Sequence, residues 1–530
     1  MRAGAAERLA AAALLVLLAA LLFLGARHKS ATYDEWSYLA AGIRWLQTGS
    51  GDVHEDVPAA IKAWIALPAN LLLRPELPAT EDRYAWTYGE RFRDGLADPA
   101  AALRLARLPV MVLALLLAVY VYVLARALWG GRAGLLALVV LVLEPGVLGH
   151  GRVASGDVAL AAMGAGALLF LWRYLGTGRW PWLALAALHL ALAAETKYVG
   201  AVLLPLAVAA VLAERVVRER AAAGLRLAAR PAASLAVATL LVYAALVMCL
   251  HGGPQEALSG YRSVLEHVDR GHRTYLLGRS STTGWWYYHP LVLLVKMPVP
   301  LLIGLLALPL AGIGRRGASR LAFLAIPALG WLLLAMASTV CLGYRHVLLV
   351  PVCAAVAFGA HASAAPAGGR RRWQRPIIAV LVVWLAVGTF AAYPGYIAYF
   401  NDAARALAEP HRILIDSNLD WGQDLPALAA WLRAHGDPPL TLLYFGRDDP
   451  ARFGIRAHMI PPYADPASIP TELLAVSASY YARAAARPEF VRLLARSERI
   501  ATAGNTLFLF RLPPPRRSEN ASSRGVRSIG

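Results

Sequence analysis

The sequence predicts a polytopic α-helical membrane protein with about eleven transmembrane helices and a small C-terminal extracytoplasmic α/β domain. Three observations predict it. The 530-residue chain is 58% hydrophobic and only 16% charged, whereas soluble domains carry about 25% charged residues. Apolar runs long enough to cross the hydrocarbon core, about 17–25 residues each, recur along it. Basic residues gather in alternate loops between those runs, which is the bias that membrane insertion imposes.

The runs fall near 8–25, 103–125, 134–149, 157–175, 181–195, 198–213, 232–250, 290–312, 321–340, 344–362 and 376–393. The first follows Arg2 and Arg8 and could serve as a secretory signal; an uncleaved helix is the expectation, because cleavage would untether the nearby Asp34-Glu35 pair from the membrane. Residues 28–100 form a long first outer loop. Within it, the apolar stretch from Ile61 to Leu73 is too short to span and is expected to lie along the interface. Residues 251–289 form a second outer loop ending in Trp285-Trp286-Tyr287-Tyr288, which suits an interfacial anchor, with a substrate platform as the alternative. Cys249, Cys341 and Cys353 lie in or beside apolar runs, so no disulfide framework is expected.

Charges and prolines return from about 394. There Ile413–Ile415, Leu442–Phe445, Leu473–Val476 and Leu507–Phe510 read as strands, and Leu425–Ala434 and 488–497 as helices. The domains are therefore 1–393 in the membrane, 394–513 as an α/β unit, and a polar tail over 514–530 that is expected to be disordered.

A net charge of +19 invites a nucleic-acid reading. Its placement argues against that. With the N-terminus cytoplasmic, the inner loops hold Arg126, Arg132, Arg173, Arg179, Arg215, Arg218, Arg220, Arg226, Arg230, Arg315, Arg316, Arg320, Arg370, Arg371, Arg372 and Arg375. The outer turns carry single cations such as Arg152, Lys197 and Arg345. This positive-inside pattern assigns a multi-pass protein of the plasma (inner) membrane, with the lipid bilayer and not nucleic acid as its partner.

Tyr33-Asp34-Glu35-Trp36 lies just beyond the first run. Two adjacent carboxylates between aromatics at the lip of a bilayer are poorly explained by folding needs alone and suit proton chemistry. Other ionisable groups also sit at outer ends of the runs: Asp56, Lys62, Glu144, His150, Arg152, Asp157, Glu195, Lys197, Lys296, Arg345 and His346. A transporter would place such groups near the midplane. A rim of carboxylates and cations instead suits a lipid-linked phosphate as leaving group, with a carboxylate to deprotonate an acceptor hydroxyl. Direct displacement of that kind inverts the anomeric centre. A non-enzymatic transporter or flippase of lipid-linked glycans is the alternative.

In order and spacing, these residues resemble the GT-C-fold membrane glycosyltransferases, above all bacterial relatives of the protein mannosyltransferases and the aminoarabinose transferase (glycosyltransferase family 39). Tyr33-Asp34-Glu35 is similar to the family's Asp-Glu pair after its first helix. The stretch Pro58 to Pro68, the Gly149-His150-Gly151-Arg152 to Asp157 segment, Lys197-Tyr198, Lys296-Met297-Pro298 and Gly343-Tyr344-Arg345-His346 keep the family's order. Asp416-Ser417-Asn418-Leu419-Asp420-Trp421-Gly422-Gln423-Asp424 resembles a signature of a bacterial subgroup. The resemblance implies Asp34 as catalytic base supported by Glu35, and a polyprenyl-phosphate-linked sugar as donor. It implies substrate and phosphate contacts from Lys62, Arg152, Asp157, Lys197, Lys296, Tyr344, Arg345 and His346. Asp157 reads equally as a helix N-cap. The acceptor is a protein, a lipid or a glycan. One departure stands out: Asp56-Val57-Pro58-Ala59 replaces the family's Glu-His-Pro-Pro. Some relatives bind a divalent metal near this loop, and Glu55 and Asp56 offer hard oxygen ligands. The Asp416–Trp421 run either caps the cavity or forms a strand-to-helix turn.

Overall fold

The computed structural model describes residues 4–219, 221–311, 314–363, 371–484 and 487–513. The predicted tail over 514–530 and the inner-loop Arg220 and Arg370 lie outside the described residues. The helices are α1 Ala5–Ala26, α2 Glu35–Thr48, α3 Ala59–Leu73, α4 Ala85–Asp94, α5 Pro99–Trp129, α6 Gly131–Val142, α7 Pro145–His150, α8 Asp157–Thr177 and α9 Trp180–Ala194. They continue as α10 Leu203–Glu219, α11 Ala221–His251, α12 Pro254–Arg270, α13 Tyr288–Lys296, α14 Val299–Leu306, α15 Arg315–Ala337, α16 Leu349–Phe358, α17 Ala360–Ser363 and α18 Arg371–Ala391.

Every predicted run is helical, and the helices differ in length. Among the described residues seven helices are long and apolar enough to cross alone: α1, α5, α8, α10 with its leading turn, α11, α15 and α18. Helices α6, α9 and α16 have 12, 15 and 10 residues. At 1.5 Å per residue they reach roughly 15–23 Å, short of a core about 30 Å thick. The 290–312 run is broken, with α13 and α14 bent by 109° where Pro298 and Pro300 remove backbone donors.

Polar contacts fix which helix ends share a face. Arg126 at the end of α5 donates to Glu7 at the start of α1 (2.7 Å). Arg215 reaches the Leu175 carbonyl, Arg315 the Val217 carbonyl, and Arg320 lies over Trp129. The basic loops thus meet at one end of the bundle. The first and second outer loops lie at the other, with α2, α3 and α4 in the first. In the second are α12 and the antiparallel hairpin β1 (Thr274–Leu276) and β2 (Arg279–Ser281). Leu71 and Leu72 on α3 and Trp286 beyond the hairpin are exposed. All three cysteines are free.

The C-terminal sheet has the order β4-β3-β5-β7-β6. Strand β3 (Leu440–Leu443) runs parallel to β4 (Ala457–Met459) and β5 (Leu473–Ser477), while β7 (Leu507–Arg511) is antiparallel to β5 and β6 (Glu498–Ala503). Alternation sends Leu473, Ala475, Leu507 and Leu509 to one face under the Leu425–Ala434 helix, and Leu474, Val476, Phe508 and Phe510 to the other. That second face joins the same core as the membrane helices. The strand expected at Ile413–Ile415 is absent: Pro410–Ile413 is a helical turn, begun by a proline whose φ suits that position. Strands β4 and β6 escape detection because β4 is short and β6 opens on Glu498 and Arg499.

Candidate active site

The segment before α2 is held from two sides. Arg107 on α5 donates to both Glu35 oxygens (2.8 and 2.7 Å) and to the carbonyls of Ala26, Lys29 and Ser30 (3.1, 3.1 and 2.8 Å). Glu35, fully buried, also accepts from the Thr32 and Ala154 amides (2.8 and 2.9 Å). From the C-terminal domain, the Trp421 carbonyl accepts from the Tyr33 amide (2.9 Å) and the Gln423 carbonyl from the Ser30 amide (3.1 Å). Lys29 pairs with Asp424. So Glu35 and the Trp421–Asp424 loop together place Asp34.

Asp34 occupies the N-cap position of α2, yet its carboxylate makes no capping bond. It accepts from the Trp86 indole (3.1 Å) and faces Arg345 (3.4 Å). Arg345 in turn lies 3.7 Å from Asp157, Asp157 pairs with Lys197, and the Arg345 guanidinium sits 4.4 Å over the Trp421 ring. Alternating charges therefore run Asp34, Arg345, Asp157, Lys197. Asp34, Arg345 and Lys197 open into a cavity of about 780 Å³. Its polar end also has His54, Asp56, His346 and Asp416, and its apolar wall is built from Val199, Val202, Trp331 and Leu334.

The predicted residues divide into three groups. Asp34, Asp56, Lys197, Arg345 and His346 line the cavity. Lys62 and Glu55 line a smaller neighbouring pocket. Glu35, Arg152, Asp157, Lys296 and Tyr344 are not among the cavity lining and contact protein groups, although one Arg152 nitrogen, Nη1, has no hydrogen-bond partner among the described residues. Arg152 donates to the Pro394 carbonyl and stacks on Tyr396. Lys296 donates to the Ile397 and Asn418 carbonyls (2.8 and 2.6 Å) over Phe400. The Tyr344 hydroxyl donates to Glu144 (2.8 Å). These three make their contacts with protein groups outside the cavity lining. Asp157 is the first residue of α8, after the cap Gly156; it braces Arg345 and Lys197 from behind. Sequence reasoning missed Trp86, Arg107, His289 and the His267–His272 pair (3.3 Å apart). Arginine at the head of the second apolar run was a legible signal, but the sequence offers both Arg104 and Arg107 there.

The Asp416–Trp421 run opens with a helical turn, Asp416–Asn418, and no strand directly precedes it. Asp416 and Trp421 line the cavity, and Asp420 organises a turn, accepting from the Ser479 amide (2.9 Å). Burial pushes the Asp420 carboxyl up to about 7. Because its folded value exceeds the ordinary one near 3.9, its contribution to stability is full below about pH 4 and is lost as pH rises toward 7. Asp420→Asn should flatten that descending limb in thermal unfolding between pH 4 and 8; an unchanged slope would reject the assignment.

A metal fits the first loop poorly. Among the described residues no three His, Cys, Asp or Glu side chains converge. Asp56 approaches His54 at 3.7 Å, while Glu55 belongs to the other pocket.

Residues 102–246 match the family model of dolichyl-phosphate-mannose-protein mannosyltransferase. No curated protein matches the sequence. Among solved structures, ArnT from Cupriavidus metallidurans bound to undecaprenyl phosphate aligns over 94% of this chain and 97% of its own, with a TM-score of 0.52 and 15% identity. The apo oligosaccharyltransferase of Archaeoglobus fulgidus aligns over 90% of this chain and 71% of its own, with a TM-score of 0.50 and 11% identity. The chain has the GT-C membrane glycosyltransferase fold, and the family match covers its α5–α11 region.

Proposed function

We propose that this GT-C-fold glycosyltransferase moves a sugar from a polyprenyl-phosphate donor to an acceptor hydroxyl, with inversion, in the cavity at Asp34. One observation carries the reading: Asp34 is a cap-position carboxylate unused for capping, open to a cavity and opposite cations. Asp34 takes the acceptor proton, the acceptor oxygen attacks the anomeric carbon, and the carbon–oxygen bond to phosphate breaks. Arg345 and Lys197 neutralise the departing phosphate. The wall of Val199, Val202, Trp331 and Leu334 takes the apolar prenyl chain. Undecaprenyl phosphate bound to the ArnT of similar fold supports this donor class.

The basic end of the bundle faces the cytoplasm by the positive-inside rule, which puts the cavity and the α/β domain outside. Purified protein in lipid nanodiscs, given a polyprenyl-phosphate hexose and an envelope extract, should release polyprenyl phosphate and form a glycoside of inverted configuration by NMR. Passage of intact donor across the bilayer without cleavage would replace transfer by the flippase reading.

A further inference from the structure

A second pocket of about 330 Å³ opens between the first and second outer loops. That volume is at the small end for ligand sites, roughly 300–1,000 Å³. Val57 and Tyr198 line both it and the reaction cavity, so one layer of side chains separates the two. Its polar groups are of both kinds. Glu55 and Glu256 are carboxylate acceptors with no hydrogen-bond or ion-pair partner among the described residues. Lys62, only 2% exposed, spends two ammonium protons on the Val53 and His54 carbonyls (3.1 Å each) and keeps a third. His251 is 8% exposed; its Nε2 is held by Glu195 at 3.2 Å, and its Nδ1 has no partner. A buried ring nitrogen without a protein partner is free to take a hydrogen bond from a ligand atom or a water.

Two glycines shape the pocket. A Cβ on Gly51 would lie 2.2 Å from the Glu256 carboxylate, and one on Gly260 would lie 2.2 Å from the Tyr198 hydroxyl. Gly260 leaves room for the Tyr198 ring, while the Glu256 carboxylate packs against Gly51. A prenyl chain is excluded by the polar lining. A bare phosphate is repelled by Glu55 and Glu256, and a metal cation by Lys62. A ring bearing several hydroxyls, each able to donate to a carboxylate and accept from an ammonium or imidazole, meets every requirement.

We propose that this pocket is a carbohydrate subsite that holds a monosaccharide-sized ring of the acceptor. The proposal rests on the transfer reading for its meaning: the acceptor hydroxyl presented to Asp34 then belongs to a sugar and not to a protein side chain. The test is saturation-transfer NMR on the full chain in nanodiscs, with methyl α-D-mannopyranoside and methyl β-D-glucopyranoside as probes. One hexoside should bind, Glu256→Gln should raise its Kd at least tenfold, and Asp34→Asn should leave that Kd unchanged. Their octyl counterparts separate sources: tighter octyl binding marks a glycolipid headgroup, equal binding a free glycan. No binding by either hexoside, or binding insensitive to Glu256→Gln, overturns the proposal. So does a threonine peptide that competes for the pocket. Donor cleavage measured on the same preparations keeps the two readings apart: cleavage without hexoside binding sinks the subsite alone, and hexoside binding without cleavage sinks the transfer reading alone.

Discussion

Asp34→Asn should lower the turnover of sugar transfer by about 10²–10⁴, the usual worth of a positioned general base, while leaving the KM for donor unchanged or lower. The asparagine keeps the shape and can still accept from the Trp86 indole, so α2 and the cavity wall stay in place. What it removes is a proton acceptor and a negative charge 3.4 Å from Arg345. The charge matters as much as the base. In the resting site Arg345 is shared between Asp34 and Asp157. When Asp34 takes the acceptor proton it becomes neutral, and Arg345 is released toward the oxygen on which negative charge is developing. On the proposed mechanism, proton transfer and leaving-group neutralisation would be coupled through one guanidinium. In the asparagine variant that release is permanent, which is why donor binding should not weaken even as turnover collapses. Steady-state kinetics with a polyprenyl-phosphate hexose checks the split. Full activity would remove Asp34 from the mechanism, and a raised donor KM at unchanged turnover would make it a binding residue.

Much of this site was legible because the bilayer is a severe filter. Asp34, Lys197 and Arg345 stand out at helix ends, where charge is tolerated only beside water, and the three do meet in one cavity. The same filter over-selected. Arg152 and Lys296 also sit at helix ends, but backbone carbonyls exposed by the Pro394 turn and the Asn418 loop absorb them. No local pattern reports a carbonyl 242 residues away. The apolar runs include the short helices α6 and α9 beside the long ones, because apolarity alone does not report how long a helix is. In the tail, buried β5 and β7 were visible as continuous apolar runs, whereas the exposed edge strand β4 was not. The clamp of the Trp421–Asp424 loop on residues 29–33 is invisible in sequence, since it is made largely through backbone groups.

Arg107→Met should destabilise the fold by about 3–5 kcal/mol, the cost of leaving a buried carboxylate without its partner. Both groups of this pair are out of solvent, with side-chain exposures of 5% and 0%. All five guanidinium protons find acceptors: two on Glu35 and three on the carbonyls of Ala26, Lys29 and Ser30. The Ala26 carbonyl ends α1, where the helix leaves acceptors unfilled, and those of Lys29 and Ser30 lie in the segment just beyond it. Arg107→Lys cannot reproduce the fork and should recover only part of the loss. Glu35→Gln combined with Arg107→Met should be more stable than Arg107→Met alone, because the amide removes the stranded charge while its oxygen still accepts from the Thr32 or Ala154 amide. Thermal unfolding of the three variants in one detergent gives the order. A double variant no more stable than Arg107→Met would show that the damage lies in the lost α1 carbonyl contacts and not in the unpaired charge. The pair also bears on catalysis, because Glu35 ties α2 to the Ala154 loop just ahead of α8. That loop sets Asp157, Asp157 braces Arg345, and Arg345 faces Asp34. Glu35 therefore supports the base through the scaffold, so Glu35→Gln should cost more in melting temperature than in the turnover of the protein that remains folded.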